Sequence, residues 1–172
     1  MSTSESAGSP QPSSAPSHVD PLAARTFDTY PVRIACLTRW SDNDMYGHLN
    51  TAKYYELFDT AINTWGAEVL GPDFVARPTM GVVAESSCRF HSELAFPGPV
   101  TVGLRIQRLG TSSVTYDLAI FDGDTPEEHA VASATARWVH VYIDRETRAT
   151  TPVPAPLRTA ADGISPRSVD PL

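Results

Sequence analysis

The stretch Asp42-Asn43-Asp44-Met45-Tyr46-Gly47-His48-Leu49-Asn50 packs two carboxylates, an imidazole, a glycine and a carboxamide into nine residues. It lies between a strand-like run over residues 32–40 and a helix-like run over 51–70. A strand that feeds a helix through such a loop sets carboxylates beside the free backbone N–H groups of the helix N-terminus. The loop then joins a base or nucleophile to donors able to hold an oxyanion.

The helix follows from periodicity. Ala52, Tyr55, Phe58, Ile62, Trp65 and Val69 step by three or four residues and mark one helical face. Leu57 and Ala61 widen that stripe, so burial is expected on more than one side. Asn50 or Thr51 supplies an N-cap, Gly71-Pro72 ends the run, and Gly66 marks a break or bend near its end. The stripe places Tyr55 in the core and turns Tyr54 elsewhere.

Strand patterns come next. Residues 80–90 are followed by an extended 92–96 and by the turn Pro97-Gly98-Pro99. Val102, Leu104 and Ile106 alternate with more polar neighbours up to the turn Gly110-Thr111-Ser112-Ser113. Val114, Tyr116, Leu118 and Ile120 alternate as far as Asp122-Gly123-Asp124. A last strand is expected from about 128 to 143. Its Ala130, Ala132, Ala134 and Ala136 form a small-residue face on which a helix can lie closely. The order β-α-β-β-β-β defines an α+β domain, one helix against a long antiparallel sheet. One helix leaves apolar surface and a sheet edge uncovered, so at least a dimer is expected.

The ends differ in composition. Residues 1–28 are rich in Ser, Pro, Ala and Gly without an apolar period and read as a disordered tail. Residues 147–172 carry Pro152, Pro154, Pro156, Pro166 and Pro171 and read as a flexible tail. The folded domain is thereby assigned to 29–146.

A net charge of −7 disfavours a general polyanion surface, and with it nucleic acid. No apolar run approaches the roughly 18 residues that span a bilayer, so no membrane partner is expected. No secretory pattern opens the chain, and Cys36 and Cys88 are too few for a disulfide framework. The cytoplasm is the expected location. His91, His129 and His140 form no metal-type cluster, and no metal is expected.

The pattern Asp-x-Asp-x-x-Gly-His-hydrophobic-Asn over Asp42 to Asn50, followed by Tyr54 and Tyr55, resembles the signature of the hotdog-fold acyl-CoA thioesterases. These belong to the superfamily named after 4-hydroxybenzoyl-CoA thioesterase. The resemblance covers residues 30–145 and is densest in the first third of that span. It implies a hotdog fold, in which a curved antiparallel sheet wraps one central helix, and a homodimer or homotetramer. It implies hydrolysis of an acyl-CoA to a free acid and CoA, without a cofactor.

Within the motif, the family's second aspartate acts as base or nucleophile, which matches Asp44. The alternative is that Asp44 only caps the helix or neutralises its dipole. Asp42 either tunes Asp44 or makes a turn bond in its own loop. The N–H of Gly47 or His48 is the expected oxyanion donor. The His48 ring would bind the thioester carbonyl, orient Asp44 or position water, and Asn50 would cap the helix or touch that water. Many relatives carry a second asparagine where this chain has Thr51. Tyr46, Tyr54, Phe58, Ser112 and Ser113 are the expected substrate-binding residues. Enoyl-thioester hydration on the same fold would resemble a loop with an Asn-Pro pair, which is missing here, and non-catalytic acyl-CoA binding is the third alternative.

Overall fold

Residues 25–165 are described in the computed structural model. Branched and aromatic side chains alternate along β3 (Val100–Leu109) and β4 (Ser113–Asp122), and these strands form the centre of the sheet. Around them lie β1 (Val32–Cys36), β2 (Thr79–Phe90) and β5 (Ala134–Asp144). The five strands run in the order β1-β3-β4-β5-β2, every neighbouring pair antiparallel. The long helix α1 (Thr51–Leu70) sits against one face and buries Tyr54, Phe58, Ala61, Ile62 and Trp65 against Val102, Leu104, Leu118 and Ala134 among others. This is the hotdog arrangement expected from the sequence.

β4 is buried on both faces, because the chain before β1 covers the side away from α1. Phe27 and Tyr30 pack there on Ala119, Phe121 and Ala132. Gly103 makes this possible: a Cβ at that position would stand 2.7 Å from the Tyr30 ring. The same layer encloses Asp117, which accepts bonds from Arg25 Nη1 at 2.5 Å and Arg105 Nε at 2.8 Å.

Several boundaries differ from the sequence expectation. The first strand ends at Cys36 rather than 40, because Trp40–Asp42 closes into a 3-10 turn. The last strand begins at Ala134 rather than near 128. Ala130 and Ala132 pack with the second cluster, leaving Ala134 and Ala136 to meet the α1 core. The alanine row is therefore split between two faces.

The C-terminal segment departs most. Within the expected tail over 147–172, a second helix, α2 (Ala155–Gly163), buries Leu157 and Ala161 against the main core. The prolines start this helix instead of preventing it, since Pro156 sits in its first turn, where no N–H partner is lost. Arg158 Nη2 donates to the carbonyls of Gly110 at 2.6 Å and Thr111 at 3.0 Å, and Val153 N donates to Thr111 O at 2.9 Å. At the other end, Phe27 N donates to Ala130 O at 3.0 Å, so packing begins before residue 29. The rest of the two expected tails, 1–24 and 166–172, lies outside the described residues. Among the described residues no helix is long and apolar enough to cross a membrane.

Candidate active site

Loop 42–50 is held by its own polar groups. Asp42 is nearly buried. Its Oδ2 accepts from Arg39 N at 2.7 Å, its Oδ1 lies 3.3 Å from Lys53 Nζ, and its carbonyl accepts from Asn50 N at 2.8 Å. Asp42 thus fastens the loop to the start of α1. Asn43 does the same on the other side: its Oδ1 accepts from Phe96 N at 3.0 Å and its Nδ2 donates to Gly47 O at 3.1 Å. Sequence reading missed Asn43, because its partner Phe96 is far along the chain.

Asp44 stands at the turn. Its Oδ1 accepts from Tyr46 N at 2.8 Å and His48 N at 3.3 Å, and no donor among the described residues takes Oδ2. Its backbone N–H donates to His48 O at 2.8 Å and its carbonyl accepts from Gly47 N at 3.1 Å. Gly47 closes this turn at φ +88°, where a Cβ is strained. The expected oxyanion donors are therefore both engaged by Asp44. Beyond Leu49 N and Asn50 N, which donate to Leu94 O and Asp42 O, the N–H of Thr51 at the first position of α1 has no acceptor among the described residues.

Asp44, His48, Thr51 and Tyr54 surround a hollow of about 320 Å³, closed on the far side by Phe90, His91 and Glu93. His48 Nε2 pairs with Glu93 Oε2 at 3.1 Å. Leu49 N donates to Leu94 O at 2.6 Å, which ties the loop to the segment after β2. His91, read from sequence only as a non-ligand, faces this hollow with Nε2 2.9 Å from Thr135 Oγ1. Burial and neighbouring Arg89 hold its pKa below the usual histidine value.

The expected substrate-binding residues divide. Tyr54 lines the hollow, buried, with its ring edge-on to Phe90 at 5.0 Å, and burial raises its hydroxyl pKa. It belongs to the buried stripe, whereas Tyr55 is half-buried against Trp138. That reverses the burial expected for the pair, while Phe58, Ile62 and Trp65 of the predicted stripe are buried as expected. Phe58 is fully buried in the core and offers no surface to a ligand. Tyr46 is 77% exposed at the loop tip beside Met45 and does not line the hollow. Ser112 and Ser113 lie at the opposite end of the sheet. Ser113 pairs with Val141, whereas Ala134, which pairs with Phe90, is seven residues away along β5. That separation is roughly 23 Å.

With this geometry, residues 38–161 match the family model of the thioesterase-like superfamily. The chain belongs to that superfamily. It is similar to the PA5185 protein of Pseudomonas aeruginosa, at 39% identity over 81% of this chain and 95% of that one, with a TM-score of 0.75. The PA2801 protein of the same organism, provisionally named a thioesterase, shares 28% identity over 74% of this chain and 95% of its own, TM-score 0.67. A Thermus thermophilus thioesterase complexed with coenzyme A and zinc shares the fold at 24% identity, covering 76% of this chain and 96% of that one, TM-score 0.61. No curated protein matches the chain. Among the described residues no cluster of His, Cys, Asp or Glu is arranged to hold a metal.

Asn50 caps α1, its Oδ1 accepting from Ala52 N at 2.9 Å. Replacing Asn50 by alanine should lower stability by about 1 kcal/mol in urea unfolding, with hydrolytic turnover largely retained. Lost turnover at unchanged stability would assign Asn50 to the chemistry instead of to the cap.

Proposed function

We propose that this protein hydrolyses acyl-CoA thioesters to a free carboxylic acid and CoA, with Asp44 as base or nucleophile. The observation that carries this reading is the division of labour on Asp44. Two backbone N–H groups fix Oδ1, while Oδ2 has no partner among the described residues at the rim of the hollow. A carboxylate so fixed is pre-aimed and keeps one basic oxygen for a water or for the thioester carbon. The uncommitted Thr51 N–H, at the positive end of a 20-residue helix, suits the oxyanion that forms as the carbonyl is attacked. Collapse of that intermediate expels the CoA thiolate, which takes up a proton.

His48, tied to Glu93, borders the same hollow and is assigned to orienting the thioester carbonyl or the water. The Thermus thermophilus relative binds coenzyme A on the same fold, which favours CoA as the carrier. No cofactor enters the reaction. A second copy of the chain is part of this reading: among the described residues β2 pairs only with β5, which leaves its outer edge open there, and Val83 and Phe90 on it are about half exposed.

The test is thiol release from a panel of acyl-CoAs running from short aliphatic to aromatic acyl groups. Saturable turnover of at least one class is expected. No release from any of them would overturn the assignment.

A further inference from the structure

The Asp44 hollow carries a carboxylate on each wall. Asp44 stands on the loop side, and Glu93 stands opposite, in the segment that follows β2. Glu93 Oε2 is held 3.1 Å from His48 Nε2, which draws this carboxylate toward the loop that bears Asp44. Among the described residues no lysine or arginine lines the hollow. Lys53, on the first turn of α1, is committed elsewhere: its Nζ lies 3.3 Å from Asp42 Oδ1 and 2.7 Å from Glu56 Oε2. Burial and Arg89 keep the His91 pKa below the ordinary value, so that ring is neutral at pH 7. A charged His48 would offset one of the two carboxylates and leave the other.

The hollow is about 7 Å across, the cube root of its volume of about 320 Å³, so a charge inside it lies within the roughly 8 Å Debye length of both carboxylates. A thioester carbon under attack must sit at Asp44. In a malonyl group the second carboxylate is two bonds from that carbon, so it enters the hollow whichever way the acyl chain runs. The ammonium of a β-alanyl group is one bond further on and enters likewise. The first meets two like charges and the second two opposite ones. Near a protein surface a unit charge at this range changes an affinity by about tenfold. The Glu93 side chain is 75% exposed, so its own share is screened and severalfold in size.

We propose that Glu93 is a specificity-determining residue of this hollow: with Asp44 it selects acyl groups by charge, rejecting those with a carboxylate beside the thioester and admitting neutral and cationic ones. The proposal rests on the reading of the hollow as the place where the acyl-CoA thioester sits.

Thioether analogues of CoA cannot be hydrolysed and so read the selection apart from the chemistry. S-(3-aminopropyl)-CoA and S-(2-carboxyethyl)-CoA place an ammonium and carboxylate oxygens the same number of bonds from sulfur. In calorimetric titration of the full chain at neutral pH, the amine should bind at least about tenfold tighter than the carboxylate. Desolvation opposes both charged groups, so their ratio reports the sign of the field in the hollow. Glu93→Gln keeps the size of the side chain and a hydrogen bond to His48 while removing the charge, and should shrink that ratio severalfold. A carboxylate analogue that binds as tightly as the amine, a ratio that Glu93→Gln leaves unchanged, or no saturation by the amine would each overturn the proposal. Thiol release from butyryl-CoA, followed in parallel, checks the hydrolytic reading by itself. Amine-selective binding without thiol release would overturn that reading and leave the charge selection standing.

Discussion

Replacing Asp44 by asparagine should reduce the turnover of thiol release by about two to four orders of magnitude, the range for a lost general base, while leaving the loop intact. Asparagine retains an Oδ1 that can accept from Tyr46 N and His48 N, the two bonds that now hold the side chain. What changes is the other oxygen, which becomes an amide that can neither remove a proton nor attack a carbonyl. KM should move little, because no bond to the loop scaffold is lost. The contrasting substitution is Asp42→Asn, where the carboxylate bonds to Arg39 N and neighbours Lys53 inside the structure. That change should act on stability and only weakly on turnover. Steady-state kinetics on the best acyl-CoA, with circular dichroism as the fold control, separate the two aspartates. Turnover in Asp44→Asn within a factor of a few of the native rate would remove Asp44 from the mechanism.

The architecture was legible because it rests on local periodicity. A three- and four-residue step in α1 and a two-residue step in β3 and β4 are set by backbone geometry and need no distant partner. Where distant partners decide, the reading failed. Tyr54 and Tyr55 exchanged roles because Phe90 and Trp138, which receive them, lie some 35 to 85 residues further on. The prolines before α2 read as tail signals, and only the hydrophobic seat for Leu157 makes them a helix start. Within the site, Asp44, His48 and Asn50 stood in one contiguous motif, whereas Asn43, Thr51 and His91 gained meaning from hydrogen bonds, or the lack of one, visible only in three dimensions. Ser112 and Ser113 belong to a turn that the strand register places at the other end of the sheet from the Asp44 loop.

Asp117→Ala should cost about 3–5 kcal/mol at neutral pH, the usual penalty for breaking a buried ion pair from one side. Asp117 is 4% exposed. It meets Arg25 Nη1 at 2.5 Å and Arg105 Nη2 at 2.8 Å, with the Tyr30 hydroxyl at 3.4 Å. Without it two guanidinium groups face each other in a layer that excludes water. Yet the intact pair is no large source of stability, since burial pushes the Asp117 carboxyl up to about 6 against the pull of Arg25. The folded value then exceeds the unfolded one, about 3.9, so between those values the folded state binds more protons. This group's contribution to stability therefore rises as pH falls through 6 and levels off below about 4. His140 works in the opposite sense: its pKa is lowered by burial, and its contribution is lost as pH falls below the unfolded value of about 6.5. Asp117→Asn isolates the first effect, because His140 is common to both proteins and cancels in the difference. Urea unfolding of native and Asp117→Asn from about pH 8 to about pH 4 should show the native protein gaining on the variant below pH 6. A difference that stays flat across that range would mean that the two arginines keep Asp117 ionised throughout. The outer layer would then be held by charge, and not by burial of Phe27 and Tyr30 over Gly103.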